Sequence, residues 1–251
     1  MILFLAHGAP SVAIEEDGFT RAVTKFGSKL RPSAAVVISA HWQTPGGVRA
    51  NAVSRPETLY DFGGFASELY RIKYEAPGHP PLANRIAAMV GGSVEKGRGW
   101  DHGVWVPLSR LFPSAETPIV ELSLPFHAKP ADLIEVGRRL QPLRDENILL
   151  IGSGGIVHNL GKVHLQDKAT PAEPWAKEFD AWIAARLEAR DLDAIAQYRE
   201  LAPHAALAVP TPEHFEPLLV LLGAHRDTDQ LTTIYSGFHY GTLSMRTIAL
   251  Q

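Results

Sequence analysis

Ile148-Leu149-Leu150-Ile151-Gly152-Ser153-Gly154-Gly155-Ile156-Val157-His158-Asn159 decides how the rest of the chain reads. An uncharged apolar run of this length, bounded by glycines, is the signature of a strand buried on both faces. The glycines end it, and a histidine follows. The same grammar occurs twice more. Ile2–Leu5 runs into Ala6-His7-Gly8, and Ala35–Ser39 runs into Ala40-His41-Trp42. Ile119–Leu122 and Thr232–Tyr235 read as further strands. Between them lie helical spacings: Phe19, Val23, Phe26 and Leu30; Ala131–Leu140 behind Pro130, with Gly137 as its weak point; and Pro171–Arg190. The last presents Trp175, Phe179, Trp182, Ile183 and Leu187 on one face, with Thr170 and Glu173 spaced as a capping box. Strands alternating with helices predict an α/β layered domain around a largely parallel sheet. The Gly-, Pro- and aromatic-rich stretch from Trp42 to Pro80 predicts long loops over one end of it. No repeat or linker divides the chain, so residues 1–251 are expected to form one domain.

Composition narrows the function. The net charge of −3 and the lack of a basic patch exclude a general attraction to nucleic acid or anionic membrane. The apolar N-terminal run ends at His7, too short for a signal peptide or a membrane span. With no cysteine, thiolate metal sites, cysteine nucleophiles and disulfides are excluded, and a cytoplasmic protein is expected. There is no His-Glu-x-x-His helix, Gly-x-Ser-x-Gly elbow or Gly-Lys-Ser/Thr phosphate loop. The 11 histidines are where chemistry is to be sought.

In open α/β sheets ligands bind beyond the carboxyl ends of the strands. His7, His41 and His158, distant in sequence, are thus predicted to meet at one rim. Imidazole suits Zn²⁺ and Fe²⁺ and also moves protons near neutral pH. One histidine at a strand end is more often a hydrogen-bonded structural residue; three at equivalent ends reverse that reading. Glu213-His214, between prolines and an apolar helix, and Asp101-His102 are further candidates. Alone, the first pair suits a helix N-terminus and the second a solvated turn; Asp101 also suits an orienting carboxylate for His102 or another imidazole. His79, His127, His164, His204, His225 and His239 lack such placement and are assigned mostly to the surface, with His127 and His239 the two considered for substrate contact.

His7-Gly8-Ala9-Pro10-Ser11, Ser39-Ala40-His41-Trp42, Asp61-Phe62-Gly63-Gly64-Phe65, Asp101-His102-Gly103, Gly152–Leu160 and Thr211-Pro212-Glu213-His214 occur in this order. Together they resemble the class III extradiol dioxygenases, the LigB-like superfamily, and most closely its DOPA 4,5-dioxygenase branch. The resemblance implies a three-layer α/β/α fold and a non-haem metal centre that opens a small aromatic diol with O₂. It implies His7, His41 and His214 as metal ligands, His158 as the acid–base group that also approaches the metal, and His102 beside substrate and O₂. Ring-cleaving members of the wider superfamily use two histidines and a glutamate; here Glu213 and His214 compete for the third place. The resemblance implies Fe²⁺ as the working metal; four histidines would suit tetrahedral zinc better, so Zn²⁺ is expected in purified protein. A zinc hydrolase or amidase, and a non-catalytic metal-binding protein on the same scaffold, are the rival readings.

Overall fold

The computed structural model describes residues 1–251. The strands are β1 (Ile2–Ala6), β2 (Ala34–Thr44), β3 (Arg49–Asn51), β4 (Ser93–Glu95), β5 (Ile119–Pro125), β6 (Ile148–Gly154), β7 (Leu231–Tyr235), β8 (Phe238–His239), β9 (Leu243–Ser244) and β10 (Thr247–Leu250). The helices are α1 (Gly18–Gly27), α2 (Pro80–Val90), α3 (His102–Leu111), α4 (Pro130–Leu140), α5 (Pro174–Ala189), α6 (Leu192–Ala196), α7 (Tyr198–Leu201), α8 (Ala205–Ala208) and α9 (Glu216–Ala224). Eight strands form one sheet in the order β4-β3-β5-β2-β6-β1-β10-β7, and β8 pairs only with β9. β5, β2, β6 and β1 are mutually parallel. The edges are mixed, with β10 antiparallel to β1 and β3 antiparallel to β5.

The central strands are apolar on both sides because both sides are covered. Ile2, Phe4, Val36, Ile38 and Leu150 face α2, α4, α5 and α9, while Leu3, Leu5, Val37, Leu149 and Ile151 face α1 and α3. Period-two alternation thus feeds two separate cores, as a three-layer α/β/α sandwich requires. Gly137 weakens α4 by propensity, but a Cβ there would lie 1.8 Å from the Val220 carbonyl oxygen. It is the price of seating α4 against α9, and the packing outweighs the roughly 1 kcal/mol propensity loss.

Three local expectations are corrected. Thr170 and Glu173 form no capping box: Glu173 is the N-cap of α5 without a side-chain cap, Thr170 donates to the Asp167 carbonyl, and Glu173 pairs with His164. Pro174 at the first helical position leaves one fewer N–H to cap. β2 does not stop before His41. It runs on to Thr44 through a register shift between Ile38 and Gln43, so His41 is an in-strand residue. His239 is buried, not a surface residue: its ring lies 3.3 Å from Asp17 and edge-on to Phe19.

Candidate metal centre

β2, β6 and β1 are neighbours in the sheet, and their C-terminal ends carry His41, His158 and His7. The His7 amide donates to the Gly154 carbonyl, which fixes its backbone beside the end of β6. His102 arrives as the first residue of α3, and His214 from the turn before α9. Gly154 makes that turn's approach feasible. Its Cβ would sit 2.1 Å from the His214 carbonyl oxygen, and that same oxygen accepts the Gly155 amide.

Five imidazoles meet there. Ring centroids are 4.8 Å apart for His7–His41, 5.1 Å for His7–His214, 4.9 Å for His41–His214 and 3.8 Å for His41–His102. His158 stacks face to face on His214 at 3.4 Å and 7°. Ligand nitrogens of His7, His41 and His102 lie within 4.8 Å of one another, as do ligand atoms of His158, Glu213 and His214.

The hydrogen-bond network sets which nitrogens are free. The one proton of the Ser153 hydroxyl goes to the Gly103 carbonyl, so Ser153 Oγ accepts from His7 Nδ1 at 3.1 Å. His7 Nε2 is then a lone pair, 3.1 Å from His41 Nε2. Glu213, an acceptor only, takes the Nδ1 proton of His214 at 3.0 Å, leaving His214 Nε2 buried without a partner. Burial holds His7 and His214 well below the ordinary imidazole range, helped by the neighbouring imidazoles. It holds His41 and His158 at about 4. All four are therefore neutral at pH 7, with lone pairs available. A buried convergence of imidazoles with two orphaned nitrogens, His102 Nδ1 and His214 Nε2, fits a cation.

Asp101, expected to orient an imidazole, instead accepts from Ser39 Oγ at 2.8 Å and Arg98 at 2.5 Å and caps α3 at the Val104 amide. The carboxylate beside His102 is Asp61. Its Oδ1 accepts the His102 amide at 2.9 Å and lies 3.0 Å from His102 Nδ1, while Oδ2 is 4.0 Å from His41 Nδ1. Burial opposes its charge, yet the His102 contacts hold it at about 2. Asp61 was visible in the sequence only as part of an aromatic motif, because nothing local shows which way a loop carboxylate points. His127, exposed beyond β5, and His239, held at Asp17, are absent from the imidazole cluster.

The family model described as the catalytic LigB subunit of aromatic ring-opening dioxygenase matches residues 3–247. The chain belongs to the LigB family. Relatives named 4,5-DOPA dioxygenase extradiol, from Beta vulgaris and from Escherichia coli K12, are each 38% identical to it. The matches cover 96% and 99% of this chain and 92% and 93% of theirs. The crystal structure of an uncharacterised Escherichia coli K12 protein superposes with a TM-score of 0.81 at 36% identity, covering 98% of both chains. The LigB chain is an extradiol ring-cleavage dioxygenase, of a family whose substrates are aromatic rings and O₂. Its fold is the one the motifs implied.

Beside the LigB imidazoles stands an aromatic wall. Phe62 meets His102 edge-on at 5.7 Å and packs with Phe65, Tyr70, Trp105 and Tyr60. No helix of the chain is long and apolar enough to cross a membrane.

Proposed function

We propose that this LigB chain opens a catechol with a short polar side chain, DOPA or a close analogue, at a bond flanking the diol, using ferrous iron held by His7, His41 and His214. The observation that carries the reading is the set of Nδ1 partners. Ser153 and Glu213 tie down one nitrogen of His7 and His214, which leaves the Nε2 lone pair of each free; His7 Nε2 lies 3.1 Å from His41 Nε2, and the His214 ring centroid lies 5.1 and 4.9 Å from those of His7 and His41. Glu213 is then the orienting partner of a ligand and not a ligand itself. His158 stacks on His214 at 3.4 Å, and of the two it is His214 that has one nitrogen engaged by a carboxylate and the other buried without a partner. His214 would therefore hold the metal, and His158 would keep its nitrogens for protons.

When bound, the ion supplies a Lewis-acid anchor for the two diol oxygens and a redox partner for O₂. The residues do the rest. His158, neutral at working pH, takes the proton of the second diol hydroxyl onto a ring nitrogen and returns it as the ring opens. The wall of Phe62 and its neighbours matches the face of a planar ring. His102 stands beside substrate and O₂. The DOPA side chain is suggested by the relatives' names. Zn²⁺ accepts the same imidazoles and is expected in protein purified without added iron. Residues 1–251 act as one catalytic domain, since His7, His41 and His158 lie on or just beyond neighbouring strands of one continuous sheet, and absence of cysteine suits a cytoplasmic setting.

The test is anaerobic loading with Fe²⁺, followed by a catechol panel watched for O₂ consumption and a yellow ring-opened product. Uptake stoichiometric with catechol is expected from the iron form and none from the zinc form. No uptake by fully iron-loaded protein with any catechol would overturn the reading.

A further inference from the structure

Asp61 has no place in the chemistry assigned above, yet its carboxylate lies between two of the imidazoles. One oxygen accepts the His102 amide, an N–H at the start of α3 with no intrahelical partner. The same oxygen lies 3.0 Å from His102 Nδ1, but not in line for a second hydrogen bond, so that buried nitrogen is without an aligned partner. The other oxygen faces His41 Nδ1 at 4.0 Å. Metal-free sites commonly show such loose contacts, which tighten when the site is filled.

What holds Asp61 there is not its own charge. Leu59 donates its amide to the Trp100 carbonyl at 2.8 Å and accepts from Trp105 Nε1 at 2.9 Å. The Tyr60 hydroxyl donates to the Ile72 carbonyl at 2.7 Å. Phe62, the next residue on, packs against Trp105 and His102. The segment is thus anchored on both sides of Asp61 to the helix that begins with His102. The carboxylate is delivered to the imidazoles by packing, and the ring-facing wall and the imidazole pair share one support.

We propose that Asp61 is a positioning residue: by accepting from Nδ1 of His102, and from His41 when the site is filled, it fixes the tautomer and tilt of these rings and links them to the seat of the aromatic wall. This rests on the dioxygenase reading for its kinetic consequence but not for its structural one.

The test compares Asp61→Ala and Asp61→Asn with the parent, full-length. The tautomer of His102 is read by ¹⁵N NMR in the zinc-loaded form, and kcat and KM in the iron-loaded form. In the parent, His102 is expected to carry its proton on Nδ1. Asp61→Ala is expected to lose that preference and to lower kcat by roughly 10- to 100-fold with KM little changed, the usual cost of removing a partner of a site histidine. Asp61→Asn, whose carbonyl oxygen still accepts, is expected to keep the tautomer and recover most of the rate. An unaltered tautomer in Asp61→Ala overturns the proposal, as does an equal rate loss in both variants. If the parent shows no turnover at all, the catechol reading fails while the tautomer comparison still decides the role of Asp61.

Discussion

Two clusters in this protein are built from the same residue types and behave as opposites. At the strand ends, five imidazoles crowd together with two carboxylates on their outer nitrogens and no cation among them. Some distance along the chain, Glu15, Asp17 and His239 also bring ligand atoms within 4.8 Å of one another. There the Lys168 ammonium ion-pairs with both carboxylates. The second cluster carries its cation covalently. The first has neutral imidazoles, with His102 Nδ1 and His214 Nε2 both buried without a partner, and no cation among them; the second leaves only His239 Nδ1 unpartnered. Proximity of histidines and acids is therefore not the mark of a metal site; several converging lone pairs with no cation already among them are.

Removing one histidine from each cluster should separate them most sharply. His158→Ala is expected to retain iron and lose roughly 10²- to 10⁴-fold in turnover, the usual share of general acid–base catalysis. His239→Ala should retain turnover and instead lose about 1–3 kcal/mol of stability through the vacated buried position. Metal analysis, O₂ uptake and urea unfolding on both variants read this directly. Comparable turnover losses from the two would erase the distinction.

Much of this was legible in the chain before any coordinates. Strands such as Ile148–Ile151 are short, apolar and ended by glycine, and their order put His7, His41 and His158 at one rim without any long-range information. What stayed hidden was orientation. Asp101 precedes His102 in sequence yet turns to Arg98 and Ser39, while Asp61, 41 residues away, faces the imidazole. Glu213 and His214 could not be ranked as ligands from adjacency; the Nδ1 contact between them is what the proposed assignment of His214 rests on. The capping motif at Thr170 failed because Glu173 engages His164, a partner the local pattern does not show. Likewise the burial of His239 depends on Asp17 and Phe19, more than 200 residues upstream.

The clusters should also part along the pH axis. His41 and His158 are held at about 4, chiefly by burial, against a reference near 6.5 in the unfolded chain. Between those values the unfolded state binds protons that the folded state refuses, so stability falls as pH falls. The slope is about 1.4 kcal/mol per pH unit for each imidazole. His239, also held at about 4, adds to the same window. Asp17 behaves differently. Burial would raise it, but Lys168 and the Thr20 amide hold it at about 2 against 3.8. Its contribution is intact above pH 3.8 and is lost only as pH drops toward 2. Urea unfolding of metal-free protein at pH 7, 6 and 5 should show a steep decline, and His239→Ala should make it shallower without abolishing it. A stability unchanged from pH 7 to 5 would mean that the rim imidazoles are not buried as neutral bases.

The smallest expected effect falls on the built-in cation itself. Lys168 and its two carboxylates are each about a quarter exposed, at 26%, 24% and 25%, so solvent screens their attraction. Lys168→Met leaves Glu15 and Asp17 facing each other without compensation. It should lower stability by about 1 kcal/mol, a few degrees in Tm for a chain of this length. Because the interaction is a screened Coulomb term, the difference from the parent should shrink in high salt. Iron affinity and turnover should stay at parental values, since the donors at the strand ends do not depend on this ammonium. If Lys168→Met instead gained stability on adding a divalent cation, the acidic cluster would be a metal site masked by one lysine, and the contrast between the two clusters would reduce to that single side chain.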